Sequence, residues 1–287
     1  MNCWKPSCTL GDQQPSPSVT KGRFRDYDCR LCAMLTDFQF FKSVCVGDGC
    51  LSLKKRKRKS DGYESSWVYF QVAHCLRQTP WLVKKAERFS SSLGRNCVIY
   101  GPYKHSLPEG KFTLQYRYAV SAEKELLPIY DSLYNTGIKK VTSAFLSDLN
   151  AESLAILWQD DGGVYQENGY IHGVLSLNFE NVPDVLLVID WIQYLTSAKG
   201  TVRTDHNGRF SIRYSFQELI KLVPCIEQYV IPELAYKICL DASQRRLASL
   251  PKLTLEDNKV ARVPDTLLKY LKGDDIVRTA LMVKMQN

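Results

Sequence analysis

The fold of this chain is decided by the stretch Leu154-Ala155-Ile156-Leu157-Trp158-Gln159-Asp160-Asp161-Gly162-Gly163. It has the pattern of an apolar helix that ends in two acids and two glycines. Carboxylates are disfavoured at a helix C-terminus, because the helix dipole places partial negative charge there. A local rule that is broken at one position often marks a functional site. A weaker copy with the same Asp-Gly ending lies upstream, Phe41-Lys42-Ser43-Val44-Cys45-Val46-Gly47-Asp48-Gly49.

The pattern of elements after the first copy recurs after the second. Apolar periodicity, helix caps and turn residues predict helix, strand, strand, helix, strand, strand, helix in residues 35–149, and the same order in residues 150–240. Two such units would place four strands each on one saddle-shaped face. We therefore predict an α+β fold of two pseudo-symmetric αββαββα repeats with two antiparallel sheets. Residues 1–34 are predicted to be a flexible leader, and residues 241–287 a polar C-terminal tail.

Composition limits the class of protein. The chain has 287 residues, 45% of them hydrophobic, and a formal net charge of +8. This basic excess is compatible with a nucleic-acid partner. Without a run of 18 apolar residues or a signal-peptide pattern, we expect no membrane segment and an intracellular, non-secreted protein whose compartment stays open.

Four of the ten cysteines lie early, as Cys3 and Cys8 followed by Cys29 and Cys32. Together they could supply four thiolates to a structural Zn²⁺. The alternative is a polar tail with incidental thiols, since the first pair is loosely spaced.

The polar faces of the predicted strands are candidates for DNA contact. A basic, twisted sheet can hold phosphates with its charges and read base edges with planar polar groups. An ordinary solvated sheet face is the alternative, and the run of six bases at residues 54–59 could also be a nuclear-import signal. The candidate DNA-binding residues are Lys54, Lys55, Arg56, Lys57, Arg58, Tyr69, Gln71, Gln115, Arg117, His172, Arg203, Arg209 and Arg213.

The two Asp-Gly endings predict a metal site if the first helices of the two units pack side by side. Asp48 and Asp161 would then emerge next to each other, and two close carboxylates repel unless a cation lies between them. Mg²⁺ or Mn²⁺ prefers such oxygen ligands, and divalent metals at a scissile phosphate promote phosphodiester hydrolysis. Taken alone, each Asp could be an ordinary turn residue at the end of a helix.

Several stretches together resemble the LAGLIDADG homing endonucleases, of the monomeric kind with two repeats in one chain. The resemblance covers about residues 35–240. It rests on the stretch 154–163 and on Val230-Ile231-Pro232-Glu233-Leu234-Ala235-Tyr236-Lys237-Ile238, Leu35-Thr36-Asp37-Phe38-Gln39, Val46-Gly47-Asp48-Gly49-Cys50-Leu51 and Phe70-Gln71-Val72-Ala73-His74.

The resemblance implies roles for both acids and their neighbours. Asp48 and Asp161 would be the metal-binding acids, and the carbonyls of Gly47 and Asp160 would also touch metal. The side chain of Asp160 lies one step too early in the motif to be the expected ligand.

The resemblance also implies the remaining catalytic residues. His74, or less closely Gln71, would orient metal-bound water, although His74 could equally be a neutral residue at a helix start. Lys140, or Lys139, would stabilise charge on the phosphate. The second repeat has no clear equivalent of Lys140 at Gln228-Tyr229-Val230-Ile231, and Asn178 is a stand-in for His74 there.

We therefore expect a site-specific endonuclease that binds double-stranded DNA as a monomer. The resemblance implies a staggered double-strand cut with 3′ overhangs in a long target, by an enzyme that an intron encodes or that is free-standing. The alternative is an RNA maturase that binds its host intron RNA, or a non-cutting DNA-binding protein on the same scaffold. A structural protein would leave the paired Asp-Gly endings unexplained.

Overall fold

The computed structural model describes residues 35–57, 62, 64–106, 112–122, 125–134, 137–177, 179, 181–205, 208–241 and 270. The four cysteines of the predicted zinc site, Arg58 and Asn178 lie outside these residues. Among the helices in the described ranges, none is both long and apolar enough to cross a membrane.

The first repeat has the predicted order of elements. They are α1 (Asp37–Val46), β1 (Cys50–Lys57), β2 (Glu64–Cys75), α2 (Thr79–Ser92), β3 (Ile99–Ser106), β4 (Phe112–Ala122) and α3 (Leu127–Tyr134), with a short 3₁₀ turn at Leu76–Gln78. A helical turn, α4 (Ser143–Leu146), connects it to the second repeat.

The second repeat follows the same order. Its elements are α5 (Ala151–Asp161), β5 (Gly162–Glu167), β6 (Tyr170–Ser176), α6 (Val182–Thr196), β7 (Thr201–Thr204), β8 (Phe210–Ser215) and α7 (Phe216–Ile226), then 3₁₀ helices at Glu227–Tyr229 and Pro232–Lys237.

The two sheets have identical topology. Their strand orders are β1-β2-β4-β3 and β5-β6-β8-β7, and all neighbouring strands are antiparallel. The predicted α+β fold of two αββαββα repeats is therefore confirmed.

Local sequence explains where the first helix of each repeat begins. The Thr36 side chain caps α1 and Asn150 caps α5, each in a reciprocal capping box with the residue three positions on. Such caps satisfy backbone N–H groups that have no partner within the helix, and each contributes about 1 kcal/mol. In the β5–β6 hairpin, Asn168 and Gly169 have φ values of 51° and 83°, as the favoured two-residue turn requires.

Each sheet buries one face against its helices. In the first repeat, Phe70 and Phe41 stack on opposite partners of Phe89, with ring centroids 4.2 and 4.3 Å from it. In the second repeat, Trp158 of α5 is fully buried and meets Tyr214 edge-on at 5.9 Å. Helices α1 and α5 pack against each other, so the two repeats share one continuous core. The ends of both helices are thereby brought together.

Candidate active site

The acids of the two motifs lie where α1 and α5 end. Asp48 follows α1 directly, and its backbone N–H donates to Oδ2 of Asp160 in the last turn of α5, at 3.3 Å. Asp161 is the last residue of α5. The predicted meeting of the two motifs is therefore found in the structure.

Close packing at this point depends on Gly47. A Cβ at position 47 would lie 2.7 Å from Oδ2 of Asp160, which is closer than real side chains approach. The corresponding position in the second repeat, immediately before Asp161, is Asp160 itself. A glycine on one helix thus makes room for a carboxylate on the other.

Burial and mutual repulsion act on both acids. Burial, followed by the charge of Asp160, raises the pKa of Asp48 to about 6. Burial, followed by the charges of Asp48 and Asp160, raises the pKa of Asp161 well above its usual value. Carboxylates in this state favour a bound proton or a bound cation. This donor set fits a divalent metal with oxygen ligands.

Asp160 differs from its two neighbours because it already has cationic and N–H partners. Its Oδ1 accepts from Trp81 Nε1 at 2.6 Å and from Lys85 Nζ, and both residues lie on α2 of the first repeat. Burial alone would raise the pKa of Asp160, but the charge of Lys85 and these hydrogen bonds outweigh it and hold the pKa below its usual value. Its carboxylate is therefore engaged in the protein interior.

His74 lies at the end of β2 and faces the acids. Its Nδ1 is 3.5 Å from Oδ2 of Asp48 and 3.2 Å from Oε1 of Gln78, while Nε2 is 2.9 Å from Lys85 Nζ. Burial, followed by the charge of Lys85, lowers the pKa of His74 to about 3, so the ring is neutral. Asp48, His74 and Asp160 offer ligand atoms within 4.8 Å of one another. Two of these three side chains are already bound to Lys85.

The structure separates the two predicted lysines. Lys139 Nζ donates to the carbonyls of Val46 and Gly47, at 2.7 and 2.9 Å, at the end of α1. Lys140 is exposed. Burial lowers the pKa of Lys139, and the charge of Asp161 opposes that shift. Of the two alternatives, only Lys139 lies beside the acids.

A second lysine, missed in the sequence, occupies the equivalent position in the other half. Lys237 Nζ donates to the carbonyls of Gln159 and Asp160, at 2.5 and 2.9 Å. These are the two residues before Asp161, just as Val46 and Gly47 precede Asp48. The expectation that the second repeat lacks such a lysine, based on residues 228–231, is wrong. The equivalent lies a few residues later, in the 3₁₀ helix Pro232–Lys237.

Two further residues of the site were not recognised from sequence. Lys85 and Trp81 reach Asp160 from α2. The available signal was the placement of Lys85 among Leu82, Ala86 and Phe89 on the apolar face of this helix, where a lysine needs a buried partner.

The carbonyls of Gly47 and Asp160, which the resemblance assigns to the metal, accept hydrogen bonds from the two lysines. Gln71 lies away from this cluster. It is partly exposed on β2 and pairs with Cys50 of β1 and Ala119 of β4.

Most of the predicted DNA-contacting residues line the sheet faces away from the core. Those exposed or partly exposed are Lys54, Lys55, Tyr69, Gln71, Gln115, Arg117, Arg203, Arg209 and Arg213. Arg56 and Lys57 belong to β1. Arg117 lies 5.2 Å from the ring of Tyr103, and Arg213 pairs with Glu167 at 3.2 Å. The faces thus combine cations with aromatic and amide side chains.

His172 is an exception among these candidates, because it is only 7% exposed. The Tyr165 ring stacks with it at 6.2 Å, and Glu167 lies 3.9 Å from its Nε2. Its side chain is thus covered by its neighbours on β5, and the expectation of an open DNA contact is corrected.

Comparison with known proteins gives a consistent result. A model of the LAGLIDADG DNA endonuclease family matches residues 44–222. No curated protein matches the sequence.

Solved structures share the fold at low sequence identity. The homing endonuclease I-WcaI, bound to its DNA recognition sequence, has 16% identity and a TM-score of 0.56, over 73% of this chain and 89% of that one. The I-LtrWI LAGLIDADG homing endonuclease bound to target DNA has 12% identity and a TM-score of 0.41, over 68% and 84%. I-SmaMI bound to cleaved DNA has 12% identity and a TM-score of 0.44, over 83% and 95%. Because the family match spans both motifs and more than half of the sequence, this chain belongs to the LAGLIDADG DNA endonuclease family.

Proposed function

We propose that this protein is a site-specific, divalent-metal-dependent DNA endonuclease that acts as a monomer and makes a staggered double-strand cut in a long target. The observation that carries the proposal is the repeated arrangement at the helix ends. In each repeat a buried carboxylate follows an apolar helix, and a lysine binds the last two carbonyls before that carboxylate.

Asp48 and Asp161 would hold the metal, Mg²⁺ or Mn²⁺. A metal bound there lowers the pKa of water and neutralises charge on a scissile phosphate. The raised pKa values of both acids support this assignment, because a cation relieves the repulsion that raises them. Asp160 is less suited, since Lys85 and Trp81 already occupy its carboxylate.

Lys139 and Lys237 would supply positive charge to the phosphates of the two strands. Each is held by two carbonyls at the end of a helix, so its ammonium needs no rearrangement before the reaction. Such preorganised charge stabilises the negative charge that develops during phosphodiester cleavage.

The two sheets would bind the DNA duplex. Arg117 and Gln115 on the first sheet and Arg203, Arg209 and Arg213 on the second can hold phosphates or read base edges. With about six to ten phosphate contacts, affinity should fall roughly 10³-fold or more between low and physiological salt.

The decisive experiment is incubation of the protein with the uninterrupted form of its host gene and Mg²⁺. We expect two staggered cuts at one position, which disappear with chelator and in Asp161→Asn. The Lys140→Met variant serves as a matched control, since Lys140 is exposed and lies outside the cluster. Absence of cleavage, together with tight binding to the host intron RNA, would overturn the proposal in favour of a maturase.

A further inference from the structure

A buried polar network joins the two repeats next to the active site. Lys85 of α2 is fully buried and contacts Asp160 of α5 as well as His74 of β2. Trp81 donates to the same carboxylate oxygen. A buried ion pair of this kind contributes little net stability, because desolvation of the two charges offsets their attraction. Its presence beside the catalytic acids therefore indicates another role.

The charged pair occurs in only one half of the molecule. Asp160 directly precedes Asp161, and the residue that directly precedes Asp48 is Gly47. Lys85 stands five residues after Pro80 at the start of α2, and the same position after Pro183 in α6 is Val188. Gly47 and Val188 carry no charge, so the αββαββα scaffold does not need the pair in order to fold.

His74 also lacks a counterpart. Cys50 pairs with Gln71 on the first sheet, and Gly163 pairs with Val174 on the second. Three residues beyond these pairs stand His74 and Leu177. Leu177 is buried and has no polar side-chain atom. The environment of Asp48 therefore contains an imidazole that the environment of Asp161 lacks.

Hydrogen-bond chemistry determines how the imidazole is oriented. The ammonium of Lys85, paired with Asp160, has only donors to offer. Its contact with Nε2 of His74, at 2.9 Å, therefore requires a lone pair on Nε2. A neutral ring then carries its proton on Nδ1, which lies 3.2 Å from Gln78 Oε1 and 3.5 Å from Asp48 Oδ2. The N–H of the ring is directed towards Asp48 and the amide beside it.

We propose that Lys85 and Asp160 are positioning residues that hold His74 as the Nδ1–H tautomer facing Asp48, and so make the two halves of the active site chemically unequal. The part of this proposal that concerns strand cutting rests on the function proposed above. If Asp48 and Asp161 serve different strands, the strand whose phosphate lies beside Asp48 and His74 depends on the network, and the other strand does not.

The tautomer can be tested on the full chain without DNA or metal. The protein is labelled with ¹⁵N-histidine, and the ring signals of His74 are identified by their loss in His74→Gln. We expect wild-type His74 to be the Nδ1–H tautomer. The double variant Lys85→Met/Asp160→Asn removes both charges together, leaves an acceptor for Trp81, and should shift the ring towards a mixture of tautomers.

A second double variant guards against misfolding. Lys85→Val/Asp160→Gly reproduces the residues that stand at the equivalent positions of the other half, and it should shift the His74 signals in the same direction. A wild-type ring with its proton on Nε2, or His74 signals unchanged in both double variants, would overturn the proposal. This outcome is independent of whether the protein cleaves DNA.

The functional arm compares cleavage of the two strands in the target found in the experiment above. We expect Lys85→Met/Asp160→Asn to slow cutting of one strand roughly tenfold, as for the loss of one oriented hydrogen bond. The other strand should be cut at nearly the wild-type rate. In a His74→Ala background the same double substitution should have no further effect, because residues that act through one group are not additive. Equal slowing of both strands, or a further loss in the His74→Ala background, would refute the positioning role.

Discussion

The half of the active site around Asp48 and the half around Asp161 have the same backbone design and different buried side chains. In both, a helix ends in a buried acid, and a lysine binds the two carbonyls before it. Only the first half adds His74, and only the pair Lys85–Asp160 connects the repeats through charge. The shared parts are those that metal and phosphate chemistry requires. The unshared parts can therefore differ without loss of the fold, and they distinguish one strand of the target from the other.

The largest effect is expected from removal of either acid. Asp48→Asn and Asp161→Asn keep the shape of the side chain but lose the charge that would hold a metal, so double-strand cleavage should fall roughly 10³-fold or more. Gel assays of plasmid cleavage measure the loss, and DNA binding by the variants serves as the control. If one variant still made double-strand breaks at the wild-type rate, the two halves would not share the metal chemistry.

Lys139 and Lys237 should matter equally, because their contacts are equivalent. Lys139→Met and Lys237→Met remove preorganised positive charge, and each should slow cleavage by about 10²-fold. Lys140→Met is the matched control, since that side chain is exposed, and it should retain the wild-type rate. A loss in Lys140→Met comparable to that in Lys139→Met would contradict the separation of the two neighbouring lysines.

The acids also predict how pH and metal affect stability. The pKa of Asp48 is raised from 3.8 to about 6, so the folded protein binds more protons than the unfolded chain between these values. Its contribution to stability is therefore present at low pH and is lost as pH rises through about 6. A bound cation reverses this loss, so Mg²⁺ should raise Tm more above pH 6 than below it.

Thermal unfolding with and without Mg²⁺ measures this linkage. At a concentration about 100 times its Kd, a ligand of the folded state stabilises by about 2.7 kcal/mol. Asp48→Asn should lose most of the Mg²⁺-dependent increase and most of its dependence on pH. An increase in Tm that is equally large at all pH values, or that persists in Asp48→Asn, would argue against metal binding at this acid.

The smallest effects are expected on the two sheets. Arg117→Ala and Arg213→Ala should each weaken DNA binding modestly and reduce the salt dependence of affinity by about one unit of slope. Arg213 is paired with Glu167, so its substitution should have the weaker effect of the two. Arg88→Ala, on α2 beside Glu152, provides a control, because Arg88 belongs to a helix and not to a sheet face. An unchanged salt slope in Arg117→Ala would remove this residue from the DNA interface.

Local patterns in the sequence were sufficient for the architecture. Thr36 and Asn150 predicted the starts of α1 and α5, and the Asn168-Gly169 turn predicted the β5–β6 hairpin. These features depend on contacts within a few residues, so they can be read without knowledge of the rest of the chain. The repeated Asp-Gly endings likewise indicated both acids, because each breaks a local rule of helix composition.

Contacts between distant residues were decided only by the tertiary structure. Lys139 and Lys140 are adjacent in sequence, yet only the path of the chain after α3 brings one of them to the end of α1. Lys237 reaches Asp160 across 77 residues, and Lys85 reaches the same residue across 75.

The sequence by itself therefore determined the two repeats and the two acids, since helix caps, turns and periodicity are short-range properties. The tertiary structure decided which cations meet those acids and which half receives the imidazole. Each of these contacts depends on how two separately formed repeats pack around Gly47, whose missing side chain leaves space for the carboxylate of Asp160.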